Sequence, residues 1–292
     1  MRSFSTTLSK RVEKKLSKYI DRAYKAVVTP YRLLTASKRS LPDFIIIGAQ
    51  KCGTTSLYNF LVQHPHINSA IQKEIHFFDQ RYSKGMNWYR SRFPFLSKGA
   101  MTGEASPNYI FDPHTPKRIF EHLPSIKLIV LLRNPVDRTY SHYHHNLRAN
   151  QWDKDRETLS FEEAIWQEGD RLSGELEKML ANQDYFSHKR KHYSYLARGI
   201  YAEQLERWFD VFPRSSFFII EDQELYSNTE ATLQKICEFL ELSDYRFSNY
   251  RRLNALNYSD MNNATRRDLI DYFKPHNARL YKLLEKEFDW DK

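Results

Sequence analysis

Asp43-Phe-Ile-Ile-Ile-Gly48-Ala-Gln-Lys51-Cys52-Gly53-Thr54-Thr55-Ser56 is the stretch on which the fold turns. Its first half is a short continuous apolar run closed by glycine, the pattern of a strand buried on both faces of a parallel sheet. Its second half is a glycine-bearing turn running straight into a helix, read from Thr54 to Gln63 and stopped before His64-Pro65. Backbone N–H groups at such a turn, with the positive end of a helix dipole behind them, form a cradle for an anion, and glycine lets the main chain approach it closely. A lone glycine turn often does no more than start a helix. Strand, loop, lysine and helix in this order favour a phosphate site instead.

The loop departs from the spacing that holds nucleoside triphosphates, Gly-x4-Gly-Lys-Ser/Thr. Thr54 stands where that lysine belongs, and Lys51 lies two residues before the second glycine. Neither later apolar run is read as ending in a carboxylate for magnesium; Leu131-Leu132 gives way to Arg133. Such a site suits a sulfuryl group, which carries less negative charge than a terminal phosphoryl group and needs only a nearby lysine and a few donors, without a metal.

Outward from this stretch the same design repeats. Ile126-Lys-Leu-Ile-Val-Leu-Leu132 runs into Arg133-Asn-Pro135 and a helix carrying Tyr140, Tyr143 and Leu147. Ser216-Phe-Phe-Ile-Ile220 is a third buried strand, preceded by a helix through Tyr201, Leu205 and Trp208 and followed by one from Thr229 to Leu240. The C-terminal stretch from Thr265 to Phe288 reads as helix broken near Pro275. Strands alternating with helices predict an α/β protein, a phosphate-loop-like three-layer fold with a central parallel β-sheet flanked by helices.

Residues 1–40 form a basic N-terminal helical extension ahead of a main domain over 41–292. Val12, Leu16, Ile20, Tyr24 and Val27 recur at helical spacing among Lys and Arg, and the helix is expected to end near Pro30. Packing on the body is the favoured role, with peripheral contact to an anionic membrane face as the alternative. Net charge is +9 over 292 residues, which points to an anionic partner. No apolar run approaches the roughly 20 residues of a membrane span. No secretory leader is read at the N-terminus, and Cys52 and Cys237 stand far apart in unlike contexts, so two free thiols in a reducing cytoplasm are expected. No base-reading motif supports nucleic-acid binding, which only the net charge favours.

Several blocks, in order, carry a resemblance. Phe44 to Pro65, Lys73-Glu-Ile-His-Phe-Phe-Asp79, Trp88-Tyr89, Gly103-Glu-Ala-Ser-Pro-Asn-Tyr109, Leu132-Arg-Asn-Pro-Val-Asp-Arg-Thr-Tyr-Ser-His142, Gly199-Ile-Tyr201 with Trp208-Phe209, and Tyr272 to Trp290 closely resemble the sulfotransferases that use 3′-phosphoadenosine 5′-phosphosulfate (PAPS). The likeness is nearest to the branch of the heparan sulfate 3-O- and N-sulfotransferases. It implies that the chain moves the sulfuryl group of PAPS to a hydroxyl of a carbohydrate or glycan precursor, with a small natural-product alcohol as the alternative acceptor. A nucleotide kinase binding ATP with magnesium is the competing enzyme class, against which the misplaced lysine speaks.

The resemblance also implies roles. Glu74 becomes the general base, because the acceptor hydroxyl must lose its proton beside the sulfuryl group. His76 becomes its companion; if the block is extended, both side chains point to one side. Lys51, Cys52, Gly53, Thr54, Thr55 and Ser56 hold the 5′-phosphosulfate, Lys51 also serving transfer. Arg133 and Ser141 fall on the 3′-phosphate, where a guanidinium fork suits the anion, and Tyr201 is a further donor-site candidate. Glu104 either shapes the acceptor site or is a buried hydrogen-bond acceptor. Arg138 is read second as a surface cation, and Asp137 as paired with a neighbour. Trp88, Tyr89, Tyr109 and Trp152 are read as core before cleft. His142 and His145 have no third ligand, so no metal is expected. Two departures stand out: Ala105 replaces the lysine frequent in the heparan branch, and its Lys-Gly-Arg nucleotide loop is missing, leaving Arg251, Arg252, Arg266 or Arg267 to supply a cation.

Overall fold

A computed structural model describes residues 26–148, 156–253 and 258–291; the expectations for residues 12–24 and for Trp152 lie outside them. Five strands form one sheet in the order β2-β3-β1-β4-β5, every neighbouring pair parallel. They are β1 (Phe44–Gly48), β2 (Ile67–Ser69), β3 (Met101–Ala105), β4 (Lys127–Leu132) and β5 (Phe217–Glu221). All five residues of β1 are buried, as their unbroken apolar run demands of a central strand covered on both faces. Gly103 is required in β3, because a Cβ there would meet the Phe44 ring at 2.4 Å.

The longer flanking helices are α1 (Thr54–Leu61), α2 (Thr115–His122), α3 (Pro135–Leu147), α4 (Tyr201–Phe209), α5 (Thr229–Phe239) and α6 (Asn263–Leu284). One apolar cluster surrounds the sheet and includes Phe44, Ile46, Leu128, Ile129 and Trp208. A second joins α3 and α6 through Val136, Tyr143, Leu269 and Phe273.

Two prolines do not act as expected. The N-terminal helix runs through Pro30 to residue 34, and Thr35 N–H still bonds to Tyr31 O at 3.0 Å. Likewise α6 continues unbroken through Pro275. Pro275 and Asp271, whose carbonyl loses its partner, are both exposed, so the lost bond falls on the solvent side of the helix. Leu269, Phe273, Asn277 and Leu280 meanwhile keep one buried face.

The topology places the site. After β1 the chain leaves toward the β2–β3 edge, and after β4 it leaves toward β5, so neighbouring strands β1 and β4 send their connections in opposite directions. In an open parallel sheet this opens a crevice beyond the strand C-termini.

Candidate active site

The loop after β1 begins the crevice. Lys51 (φ 72°) and Gly53 (φ 92°) both have left-handed backbone, and Gly53 stands at the N-cap of α1, where a Cβ would sit 2.7 Å from the Tyr226 hydroxyl. A cleft of about 600 Å³ opens there, lined by Lys51, Gly53, Thr54 and Thr55 from this turn, by Glu74 and His76, and by Arg133 and Ser141 from the end of β4 and from α3. Burial above all, then the Arg133 and Arg138 guanidiniums, lower the Lys51 ammonium to about 8. Arg133 Nη1 donates to Lys51 O at 3.3 Å, tying the two strand ends together.

Three residues expected at the donor lie behind this wall. Cys52 is fully buried, its Sγ 3.8 Å from the Tyr201 hydroxyl, and burial pushes its thiol up to about 12. Tyr201, also buried, donates to Arg133 O at 2.8 Å. Ser56 Oγ accepts from Leu253 N at 2.9 Å, holding the segment that carries Arg252. These side chains brace the loop and the end of β4, and none lines the cleft.

Glu74 and His76 meet, but not as neighbours on a strand. Both have left-handed backbone, φ 60° and 52°, and a turn brings His76 Nε2 to 3.5 Å from Glu74 Oε2. His76 Nδ1 faces the buried Asp79 Oδ2 at 2.9 Å, which also accepts from Asn108 at 2.7 Å. Burial works to lower the imidazole, yet Asp79 and Glu74 outweigh it and hold it at about 9. The His76 bond, together with Lys73 at 2.6 Å and against the effect of burial, holds Glu74 at about 2. At neutral pH the pair is a carboxylate beside an imidazolium.

Beneath this turn lies Glu104, fully buried and accepting from Tyr89 (2.6 Å), Ser106 (2.8 Å) and Tyr109 (3.2 Å). Burial raises its carboxyl to about 7 against those three bonds. It does not line the cleft; Ser106 and Tyr109 pass its hold on to the His76 and Phe77 amides, at 3.2 and 2.9 Å. Tyr89 and Tyr109 are core, as read.

Other residues differ from expectation. Arg138 is no surface cation: it is fully buried, and its Nη2 donates to Tyr195 O. The end of β5 does carry carboxylates, Glu221 and Asp222, because the strand runs one residue beyond Ile220. Asp222 lines the cleft, but its Oδ2 lies 3.5 Å from Arg133 Nε; burial raises it to about 6, with Arg133 and Arg252 opposing. Of the four arginines offered for the missing loop, Arg252 lines the cleft, stacked 4.2 Å over the Tyr226 ring. Arg266 instead pairs with Asp137 at 2.5 Å, while Arg251 and Arg267 do not line the cleft. Tyr226 and Asp222 escape a reading of the sequence, since nothing in their spacing marks them. His142 is fully buried, whereas His145 lines the cleft.

A sulfotransferase domain model matches residues 41–279. The chain belongs to the sulfotransferase domain family. It is 30% identical to the membrane-associated sulfotransferase kil1 of Dictyostelium discoideum, over 86% of this chain and 66% of that one. It is 29% identical to the mouse (Mus musculus) heparan sulfate glucosamine 3-O-sulfotransferase 3B1, over 88% and 66%. The chain thus spans just under two thirds of the length of each. Among solved structures, a sulfotransferase from Alicyclobacillus acidocaldarius superimposes with a TM-score of 0.70 at 31% identity, covering 87% of this chain and all of that one. The family's phosphate-loop-like fold is the one the sheet order shows.

Proposed function

We propose that this chain transfers the sulfuryl group of PAPS to a hydroxyl of a carbohydrate or glycan-precursor acceptor. The carrying observation is that the anion cradle with Lys51 and the Glu74–His76 pair open onto one cleft, close enough for Glu74 to act on the charge of Lys51. Its volume suits a nucleotide-sized ligand, and the cradle, Lys51 and Arg133 are the donors such a ligand requires. When bound, PAPS supplies an activated sulfuryl group on its 5′-phosphate.

The residues divide the work. Loop amides and Lys51 hold the phosphosulfate and neutralise charge building on the leaving phosphate. Arg133 and Ser141 take the 3′-phosphate, with Arg252 on Tyr226 as the cation that replaces the absent loop. Cys52, Ser56 and Tyr201 act from behind by fixing the turn. Glu74 is ionised and receives the acceptor proton, whereas His76, already charged, orients the acceptor oxygen. Gripped by Lys73 and His76, Glu74 is a weak base, so the proton moves late, once the attacking oxygen has bonded to sulfur and turned acidic.

The relatives named for heparan sulfate support a carbohydrate acceptor. The two buried, unbridged thiols support a reducing, cytoplasmic location. The test is transfer of radiolabel from [35S]PAPS to a panel of saccharides, nucleotide sugars and simple alcohols. Labelled saccharide supports the reading; label on simple alcohols alone would reassign the acceptor, and no transfer at all would remove the activity.

A further inference from the structure

The helix over residues 26–34 lies against the body. Arg32 Nε and Nη2 donate to Ser91 O and Phe93 O, both at 2.6 Å, and these bonds clamp the helix to the body. On another face Val27, Tyr31 and Leu34, spaced four and three apart, are 72%, 53% and 84% exposed. That spacing makes a single stripe along the helix. The stripe does not stop at the helix. Arg39, itself buried, lies 5.9 Å from the Tyr31 ring and 4.0 Å from the Phe95 ring, so one guanidinium joins the helix to the loop that follows Pro94. Phe95 and Leu96 in that loop are also exposed, and Leu96 N–H bonds to Lys38 O at 3.1 Å, which fixes the two segments together.

A contiguous apolar surface of this kind marks an interaction site. Basic residues flank it. Lys38 and Lys98 are exposed beside it. In sequence, residues 1–25 hold eight Lys and Arg against Glu13 and Asp21, and Ile20 and Tyr24 stand four and three positions apart before Val27. Apolar residues flanked by basic ones match a surface of anionic lipid headgroups over acyl chains. A second copy of this chain fits less well, because pairing the two surfaces would bring their basic flanks together.

We infer that Val27, Tyr31, Leu34, Phe95 and Leu96 form a docking surface for an anionic membrane, on which the protein sits peripherally. The inference is independent of the transfer chemistry. It is tested by sedimenting the purified full chain with vesicles of phosphatidylcholine alone or mixed with phosphatidylglycerol, and by sedimentation velocity without lipid. The chain should pellet with the anionic vesicles, less with neutral ones, and progressively less as salt rises. Val27→Glu combined with Leu34→Glu should weaken that partition roughly tenfold or more, while affinity for adenosine 3′,5′-bisphosphate, read by calorimetry, stays unchanged and shows the variant folded. Leu96→Glu, on the loop, should weaken partition without touching the helix. Failure to pellet with anionic vesicles at low salt overturns the inference. So does pelleting that ignores these substitutions, or a dimer that they dissociate, which would assign the stripe to a second copy.

Discussion

Left-handed backbone at two non-glycine residues within three positions costs on the order of 1–3 kcal/mol each and is retained where the surroundings over-determine it. At Glu74 and His76 the restraint is visible: Glu74 N–H bonds to Ala105 O at 3.0 Å, and His76 N–H to Ser106 Oγ. The turn therefore places a carboxylate at the cleft through its bonds to the end of β3 and not by strand alternation. Glu74→Gln is close in shape and removes the carboxylate proposed as proton acceptor. Turnover should fall by about 10²–10⁴-fold while the affinity for adenosine 3′,5′-bisphosphate holds; unchanged turnover would take the base role from Glu74. The role proposed for Lys51 predicts the alkaline side. If it receives the donor as proposed, its ammonium, lowered to about 8, must be charged, so kcat/KM should decline as pH rises through about 8, and a profile flat to pH 10 would contradict that role. The His76 cation also bears on stability. Its folded value, about 9 against an ordinary 6.5, is raised, so its contribution, on the order of 3 kcal/mol, is full below 6.5 and lost as pH rises through 9. Glu74 is lowered, and its share disappears as pH falls from 4.5 toward 2. Denaturation midpoints across pH should show both losses, and His76→Gln should remove the alkaline one.

At the scale of elements, the strand ends and the helices that follow them decide what can be bound. Gly53 joins β1's loop to α1 with φ 92°, a conformation that costs a residue with a Cβ about 1–2 kcal/mol. Gly53→Ala should destabilise the fold by that amount and weaken donor binding as Tyr226 is displaced from the loop; chemical denaturation and calorimetry together check it, and wild-type values in both would deny the turn its part. The elements legible in sequence are those whose local pattern and tertiary fate agree. β1, β4 and β5 announce themselves as apolar runs, and α3 by Asn134-Pro135, where Asn134 Oδ1 does cap Val136 N–H at 2.9 Å. β2 and β3 are silent because Ile67–Ser69 is too short and Met101–Ala105 too polar to show a period; β3 pairs with β1 and β2 with β3, and that register makes them strands. Pro30 and Pro275 mislead because a proline reveals the lost bond and not the tertiary contacts that outweigh it. At the site, the loop, Arg133 and the Glu74–His76 pair are readable as a linear motif. Asp222 and Tyr226 are not, since only the sheet order brings the end of β5 beside that of β4.

The whole molecule concentrates positive charge where the sheet opens. Lys51, Arg133 and Arg252 line the cleft, with the buried Arg138 behind them. The carboxylates that face them are already engaged, Asp222 near Arg133 and Glu74 with Lys73 and His76. Packing cations so close in a partly desolvated site carries a repulsion that adds to burial in lowering Lys51 and Arg138, and an incoming polyanion relieves it. The free protein is thus held below its attainable stability, and an anion with charge at both ends of the cleft should recover the difference. Adenosine 3′,5′-bisphosphate at a hundredfold excess over its Kd should stabilise the fold by about 2.7 kcal/mol, read as a rise of a few degrees in Tm. Adenosine 5′-monophosphate at the same concentration, lacking the group for Arg133 and Ser141, should give a markedly smaller rise, and Arg133→Met should erase the difference between the two ligands. Chelating divalent ions should leave the bisphosphate shift intact, because the relieving charge is carried by this chain's own side chains. A shift that appears only with magnesium and ATP would instead mean that Asp222 leaves Arg133 to help hold a metal, and that the cleft is built for phosphoryl transfer.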